Sequence, residues 1–132
     1  MIRIELENRS GAAVDEPGVE ALCRRVLGAE GIAEGDLGIA FAPPDEMRAL
    51  KARHLGVDEP TDVLSFPLDG RDDLPAGVPR QLGDVVVCPQ VVGDEWRGPL
   101  VHGLLHLLGY DHGPTMERRE ATLLGKRWLT EN

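Results

Sequence analysis

The sequence predicts an α+β fold built around one core, and three observations lead there. Residues Ile2 to Glu7 alternate apolar and charged side chains, the two-residue period of a half-buried strand. From Pro17 to Ala29, apolar residues fall at Val19, Leu22, Cys23, Val26 and Leu27, which is helical spacing. Both periods recur along 132 residues with no internal repeat, low-complexity tract or linker, so a single domain over residues 1–132 is expected.

The remaining elements follow in order. The first helix starts at Asp15 or Glu16 and closes at Gly28 or Gly31. Leu37 to Ala42 reads as a second strand. Pro43-Pro44-Asp45-Glu46 opens a second helix that carries Met47, Leu50 and His54 and closes around Gly56. Asp62 to Phe66 is a short β-rich run ended by Pro67. On a strand, Asp62 and Leu64 face one side while Val63 and Ser65 face the other. Asp69 to Arg80, rich in proline, glycine and charge, reads as a surface excursion. Gly83 to Cys88 is continuously apolar after Asp84, as in a strand covered on both faces. Pro99 to Leu108 is a strongly apolar helix. Pro114 to Leu129 is a last, charge-rich helix that turns Met116, Leu123, Leu124 and Trp128 inward.

Composition narrows the function. With 42% hydrophobic and 28% charged residues, the chain has enough apolar surface to offset its entropy and fold. Its formal charge is −9, from 23 acidic and 14 basic residues, which argues against a general nucleic-acid binder and against docking on an anionic membrane. Two Trp, one Tyr and two Phe are too few for a platform that stacks many bases. Cys23 and Cys88 stand in apolar surroundings and read as buried free thiols. The N-terminal residues lack the apolar core of a signal peptide, and no stretch approaches a membrane span. A soluble cytoplasmic protein is expected.

Three of the four histidines lie within residues 102–112. His102 and His106 stand at i and i+4, so a helix stacks them on one face. Both imidazoles can then reach one ion, each nitrogen about 2.0–2.1 Å from it. Gly109 follows, and a glycine there can adopt the left-handed conformation that ends a helix. The reversed chain would return His112 to the same point. That predicts a three-histidine site with the fourth tetrahedral position open to water, the arrangement of catalytic rather than structural zinc. A zinc ion lowers the pKa of bound water to roughly 7 and can polarise a carbonyl or phosphoryl oxygen.

The same histidines and glycine resemble the metzincin protease signature, with one difference. Those proteases carry a glutamate general base directly after the first histidine. Gly103 occupies that place here. Asp111 is the nearest carboxylate in sequence. It reads either as a base or as a group that caps the turn or orients a histidine.

The run from His102 to His112 also resembles the signature of the YbeY family of bacterial rRNA-maturation endoribonucleases. Pro60-Thr61-Asp62-Val63-Leu64-Ser65-Phe66-Pro67 is similar to a second motif of that family, and Leu82-Gly83-Asp84-Val85-Val86-Val87 to a third. The resemblance runs from about Ile2 to Trp128. It implies a zincin-like α+β fold with a small mixed sheet, and one zinc ion held by His102, His106 and His112. It further implies cleavage of single-stranded RNA, maturation of the small-subunit rRNA 3′ end and a part in ribosome quality control. The implied partners are the small ribosomal subunit and assembly factors, with neither DNA nor membrane.

Two departures stand out. Many family members carry an arginine six residues before the threonine of the second motif, where this chain has Leu55, preceded by His54. Arg48, Lys51 and Arg53 lie nearby and either substitute for it or form a solvated helix face. Only Val91 to Val101 separates the third motif from the histidines, and the family often has a longer helical stretch there. One wall of the cleft should therefore differ. Thr61 and Asp62 either satisfy backbone groups where the strand begins or line the cleft.

Two other functions fit parts of the pattern. A zincin-type peptidase or amidase would need a proton acceptor that Gly103 does not supply. A non-catalytic ribosome-assembly module with a structural metal would lose stability on histidine substitution yet cleave no RNA. For a ribonuclease, the charge of −9 requires that Asp69, Asp72, Asp73 and the N-terminal acids lie away from the cleft, and it predicts weak affinity for naked RNA.

Overall fold

The computed structural model describes residues 1–55 and 61–131, with only the backbone described for residue 55 and for residues 126–131. Four strands form one sheet in the order β1-β2-β4-β3. These are β1 (Ile2–Asn8), β2 (Gly35–Phe41), β3 (Val63–Pro67) and β4 (Gln81–Val87). β1, β2 and β4 run parallel, and β3 is the antiparallel edge. The helices are α1 (Glu16–Ala29), α2 (Pro44–Leu55), α3 (Pro89–Val92), α4 (Arg97–Leu107) and α5 (Pro114–Glu131). The predicted α+β class and mixed sheet are what the chain forms.

Side-chain alternation assigns each face of the sheet. Leu37, Ile39 and Phe41 of β2 and Val85 and Val87 of β4 turn to one face, where Val19, Leu22, Cys23, Val26 and Leu27 of α1 and the apolar side of α4 cover them. On the other face Ala40, Leu64, Phe66 and Val86 meet Met47 and Leu50 of α2 in a smaller cluster. Val85 to Val87 are thus covered on both sides, as the apolar run predicted, whereas Asp84 stays exposed. Leu64 and Ser65 take opposite faces as expected, Leu64 toward α2 and Ser65 toward α4. Each fully buried leucine or valine contributes about 1.5–3 kcal/mol to this packing.

Local chemistry sets the helix ends. The Asp15 carboxylate accepts from Gly18 N at 3.1 Å and caps α1, with Pro17 in the first turn. At the other end Gly31 N bonds Gly28 O (3.1 Å) and Ile32 N bonds Leu27 O (2.9 Å), with Gly31 at φ +77°. This is a Schellman closure, and it makes Glu30 the cap residue. α4 starts at Arg97, two residues before the proline expected to open it. Pro99 lies within the first turn, where its missing N–H has no helical partner to lose.

Some elements differ from expectation. α3 is a single turn that the sequence did not announce, too short to show a period. β3 includes Pro67, which an edge strand tolerates because it need not donate to a ladder. α5 continues to Glu131 but breaks at Gly125 (φ 34°, ψ −159°). The expected closure of α2 around Gly56 and the inward contact of Trp128 lie outside the described residues and side chains.

Candidate metal centre

α4 lies across the sheet beside edge strand β3, and it can do so because residue 103 has no side chain. A Cβ there would stand 2.7 Å from Val85 Cγ1 and 3.1 Å from both Ser65 Oγ and Val63 Cγ2. Ser65 Oγ donates to the Gly103 carbonyl at 3.0 Å, stitching helix to strand. The position that carries glutamate in metzincins here faces packed sheet, with no room for a carboxylate. With Gly103, Leu104 and Leu105 buried, His102 and His106 turn to the open side.

α4 ends in a second Schellman closure. Gly109 N bonds His106 O and Tyr110 N bonds Leu105 O, each at 3.1 Å, with Gly109 at φ +96°. A β-carbon is strained at that dihedral, so glycine is what lets the chain reverse. The reversal brings His112 back: His106 Nε2 stands 3.1 Å from His102 Nε2 and 3.1 Å from His112 Nε2. All three ligand atoms lie within 4.8 Å of one another, so the group could hold a metal ion.

The donor set fits such an ion. Tetrahedral bonds of about 2.0–2.1 Å place neighbouring nitrogens about 3.3 Å apart, close to the spacing found. His106 Nδ1 lies 2.9 Å from the Tyr110 carbonyl, which can only accept, so the proton sits on Nδ1 and the Nε2 lone pair is free. His102 Nδ1 makes a short bond to Glu120 Oε1 of α5, with the same consequence. Ordered histidine ligands carry such outer partners. Burial, with the neighbouring rings of His102 and His112, holds His106 below the usual imidazole range, against the opposite pull of the Tyr110 carbonyl and Asp111. It is therefore neutral near pH 7, the form that binds metal.

The histidines lie at the floor of a cleft of about 760 Å³. Thr61, Asp62 and Ser65 form one wall, and Asp111, Glu120 and Leu124 contribute to the other. Asp62 does both: its carboxylate accepts from Val63 N at 2.8 Å where the strand begins, and it lines the cleft. Of the three basic candidates on α2, Lys51 reaches the cleft, while Arg48 and Arg53 are exposed and outside its lining. Leu55 ends α2, and its side chain lies outside those described. Asp69, Asp72 and Asp73 lie outside the lining, as expected, but among the described residues the cleft keeps acids of its own in Asp62, Asp111 and Glu120.

The short segment before α4 shapes a second hollow of about 860 Å³. It is lined by Val91, Val92, Asp94, Glu95 and Arg97 and shares Asp62, Gly98, Pro99 and Leu124 with the cleft. Glu120 was not singled out from sequence. Its only signal is that it lies on a charge-rich helix, which marks a solvated face as readily as a ligand's partner. Cys23 and Cys88 are both buried and free, as their apolar surroundings predicted.

Comparison with known proteins finds relatives along nearly the whole chain. A family model described as endoribonuclease YbeY matches residues 5–131. A protein of Salinispora tropica named endoribonuclease YbeY is 38% identical, over 96% of this chain and 93% of its own. Its namesake in Beutenbergia cavernae is 40% identical, over 95% and 93%. The solution structure of a Thermotoga maritima protein superposes with a TM-score of 0.58 at 26% identity, covering 99% of this chain and 93% of that one.

Proposed function

The chain belongs to the endoribonuclease YbeY family, and on that premise we propose that it is a zinc-dependent, single-strand-specific endoribonuclease. Residues 1–132 act as one metallohydrolase domain, with His102, His106 and His112 holding one zinc ion per chain. The convergence of three imidazoles in the cleft, with His106 Nε2 3.1 Å from the Nε2 atoms of both His102 and His112, is the observation that carries this reading.

When bound there, zinc supplies Lewis acidity toward a phosphoryl oxygen and lowers the pKa of water toward roughly 7. The rest is done by the chain. Glu120 and the Tyr110 carbonyl keep protons on the Nδ1 atoms of His102 and His106, so that each ring presents a lone pair to the cleft. Three neutral ligands leave the full positive charge of the ion to face an anionic phosphodiester. Lys51 adds one more positive charge at the wall and orients the backbone of the substrate. The sheet packed against Gly103 leaves no place for the glutamate base of a peptidase, which favours phosphodiester over peptide chemistry.

The names of the relatives point to RNA. The family resemblance adds maturation of the small-subunit rRNA 3′ end, ribosome quality control, and the small ribosomal subunit with its assembly factors as partners, in the cytoplasm. Among the described residues no helix is long and apolar enough to cross a membrane, which is compatible with that setting. The test compares the purified protein with His106→Ala for zinc content and for cleavage of single-stranded RNA. The wild type should carry zinc and cleave, and the variant should do neither. Undiminished zinc in the variant would overturn the ligand assignment, and metal-replete wild type that cleaves no RNA would leave the assembly-module reading in its place.

A further inference from the structure

Among the described residues, one charged side chain away from the cleft is buried, and it is built into the support of the histidines. Glu30 caps the C-terminal end of α1, and its side chain is 3% exposed. A carboxylate is poorly placed there, because the helix end already carries partial negative charge. Nothing in the folding of α1 calls for it, since the Schellman closure uses only backbone groups and Gly31.

Its partners come from three other parts of the chain. Tyr110 Oη donates to Glu30 Oε1 at 2.8 Å. Arg71, in the excursion after β3, donates to the same oxygen at 2.8 Å and to the Glu30 carbonyl at 3.0 Å. Arg119 of α5 makes a short bond to Oε2 and donates to the Ala29 carbonyl at 3.1 Å. Both arginines thus also satisfy carbonyls at the end of α1.

Two of these partners lead to the histidines. The residue whose ring is tied to Glu30 is the one whose carbonyl holds His106 Nδ1. The residue after Arg119 is Glu120, whose carboxylate holds His102 Nδ1. We propose that Glu30 is a positioning residue for the three-histidine centre: one buried carboxylate fixes both acceptors that orient His102 and His106. Tyr110 is held at its ring and presents its carbonyl. α5 is held at Arg119 and presents Glu120. The inference rests on the histidines being a metal centre, as proposed above.

The test measures zinc affinity by chelator competition and the visible spectrum of the cobalt-substituted protein. It compares the wild type with Glu30→Gln, Tyr110→Phe and Val19→Ala, the last being a cavity at the far end of α1. Glu30→Gln should bind zinc at least about tenfold more weakly and shift the cobalt bands, as loss of outer support does. Tyr110→Phe should show a smaller loss in the same direction. Val19→Ala should lower the melting temperature and leave affinity and spectrum unchanged.

A folded Glu30→Gln protein with wild-type affinity and spectrum would overturn the proposal, as would an equal loss in Val19→Ala, which would make affinity follow stability alone. If Glu30→Gln does not fold, Tyr110→Phe decides, because it leaves both arginine pairs in place: weaker binding supports the proposal and unchanged binding overturns it. A wild type that binds no metal would remove the centre and this role together, whereas a wild type that binds beside indifferent Glu30 and Tyr110 variants would remove only the role.

Discussion

Gly103 lies against Val85 so closely that a β-carbon on the helix would stand 2.7 Å from Val85 Cγ1. Val85 is fully buried in a central strand and is stiff at χ1, so it has no rotamer to yield into. Gly103→Ala should therefore destabilise the protein by about 1–3 kcal/mol, although alanine favours a helix over glycine. Urea midpoints compare the two. Gly103→Glu, which restores the protease-like sequence, should cost more and yield no peptide hydrolysis, because the carboxylate would be driven into packed sheet rather than into the cleft.

The bond from His102 Nδ1 to Glu120 predicts a loss in metal binding rather than in fold. Glu120→Gln keeps the shape of the side chain and can still accept from Nδ1, but it no longer favours a basic ring on the other nitrogen. Zinc affinity should fall by about 10–100-fold, with the melting temperature of the metal-free protein nearly unchanged. Isothermal titration of the apoprotein reads both the affinity and the number of protons released. Equal affinity in the two proteins would make the contact incidental.

These two residues show where the sequence could be read and where it could not. His102, His106, Gly109 and His112 act through chain-local geometry, one helical turn and one reversal, and such geometry is written in spacing. The α1 and β1 periods were legible for the same reason. Glu120 and Glu30 act across tertiary contacts, at sequence separations of 18 from His102 and 80 from Tyr110. Glu120 sits among other charges of α5, and Glu30 sits just past a helix end between glycines, so neither has a local pattern to set it apart. The single turn of α3 was missed because four residues cannot display a helical period. Gly103 reads from sequence only as the absence of a base, because its steric reason lies in the sheet beneath it.

The Glu30 cluster also sets a pH dependence. Burial alone would raise the Glu30 carboxyl, but hydrogen bonds from Tyr110 and Arg119 and the charges of Arg119 and Arg71 outweigh it and hold the group below the usual carboxylate range. The folded state then binds this proton less readily than the unfolded chain. The stabilisation is complete above the unfolded value, about 4.3, and is lost as pH falls through the lower folded value. Glu30→Gln should cost about 1–3 kcal/mol at pH 7, because the arginines left behind are partly exposed and can rehydrate. Denaturant midpoints of the two proteins should keep a constant gap from pH 7 to about 5 and converge in stronger acid. A gap that persists undiminished far below pH 4 would show that the ionised carboxylate is not what the cluster depends on.

Charge in the cleft governs how RNA is held. Lys51 is the lysine or arginine found among the described lining residues, and Asp62, Asp111 and Glu120 share the lining with it. Few phosphates can be neutralised there, so binding of a short single strand should weaken only shallowly with salt. Each phosphate contact contributes a slope of about −0.7 in log affinity against log salt, and one or two contacts are expected. Lys51→Ala should flatten the slope by about 0.7 and weaken binding to different sequences alike, the behaviour of a backbone contact rather than a base contact. Fluorescence anisotropy at several salt concentrations, with zinc-loaded His106-intact protein, measures both. A slope steeper than about −4 would require a basic surface that the net charge of −9 and the acids of the cleft do not provide, and would place the main RNA contacts outside the cleft.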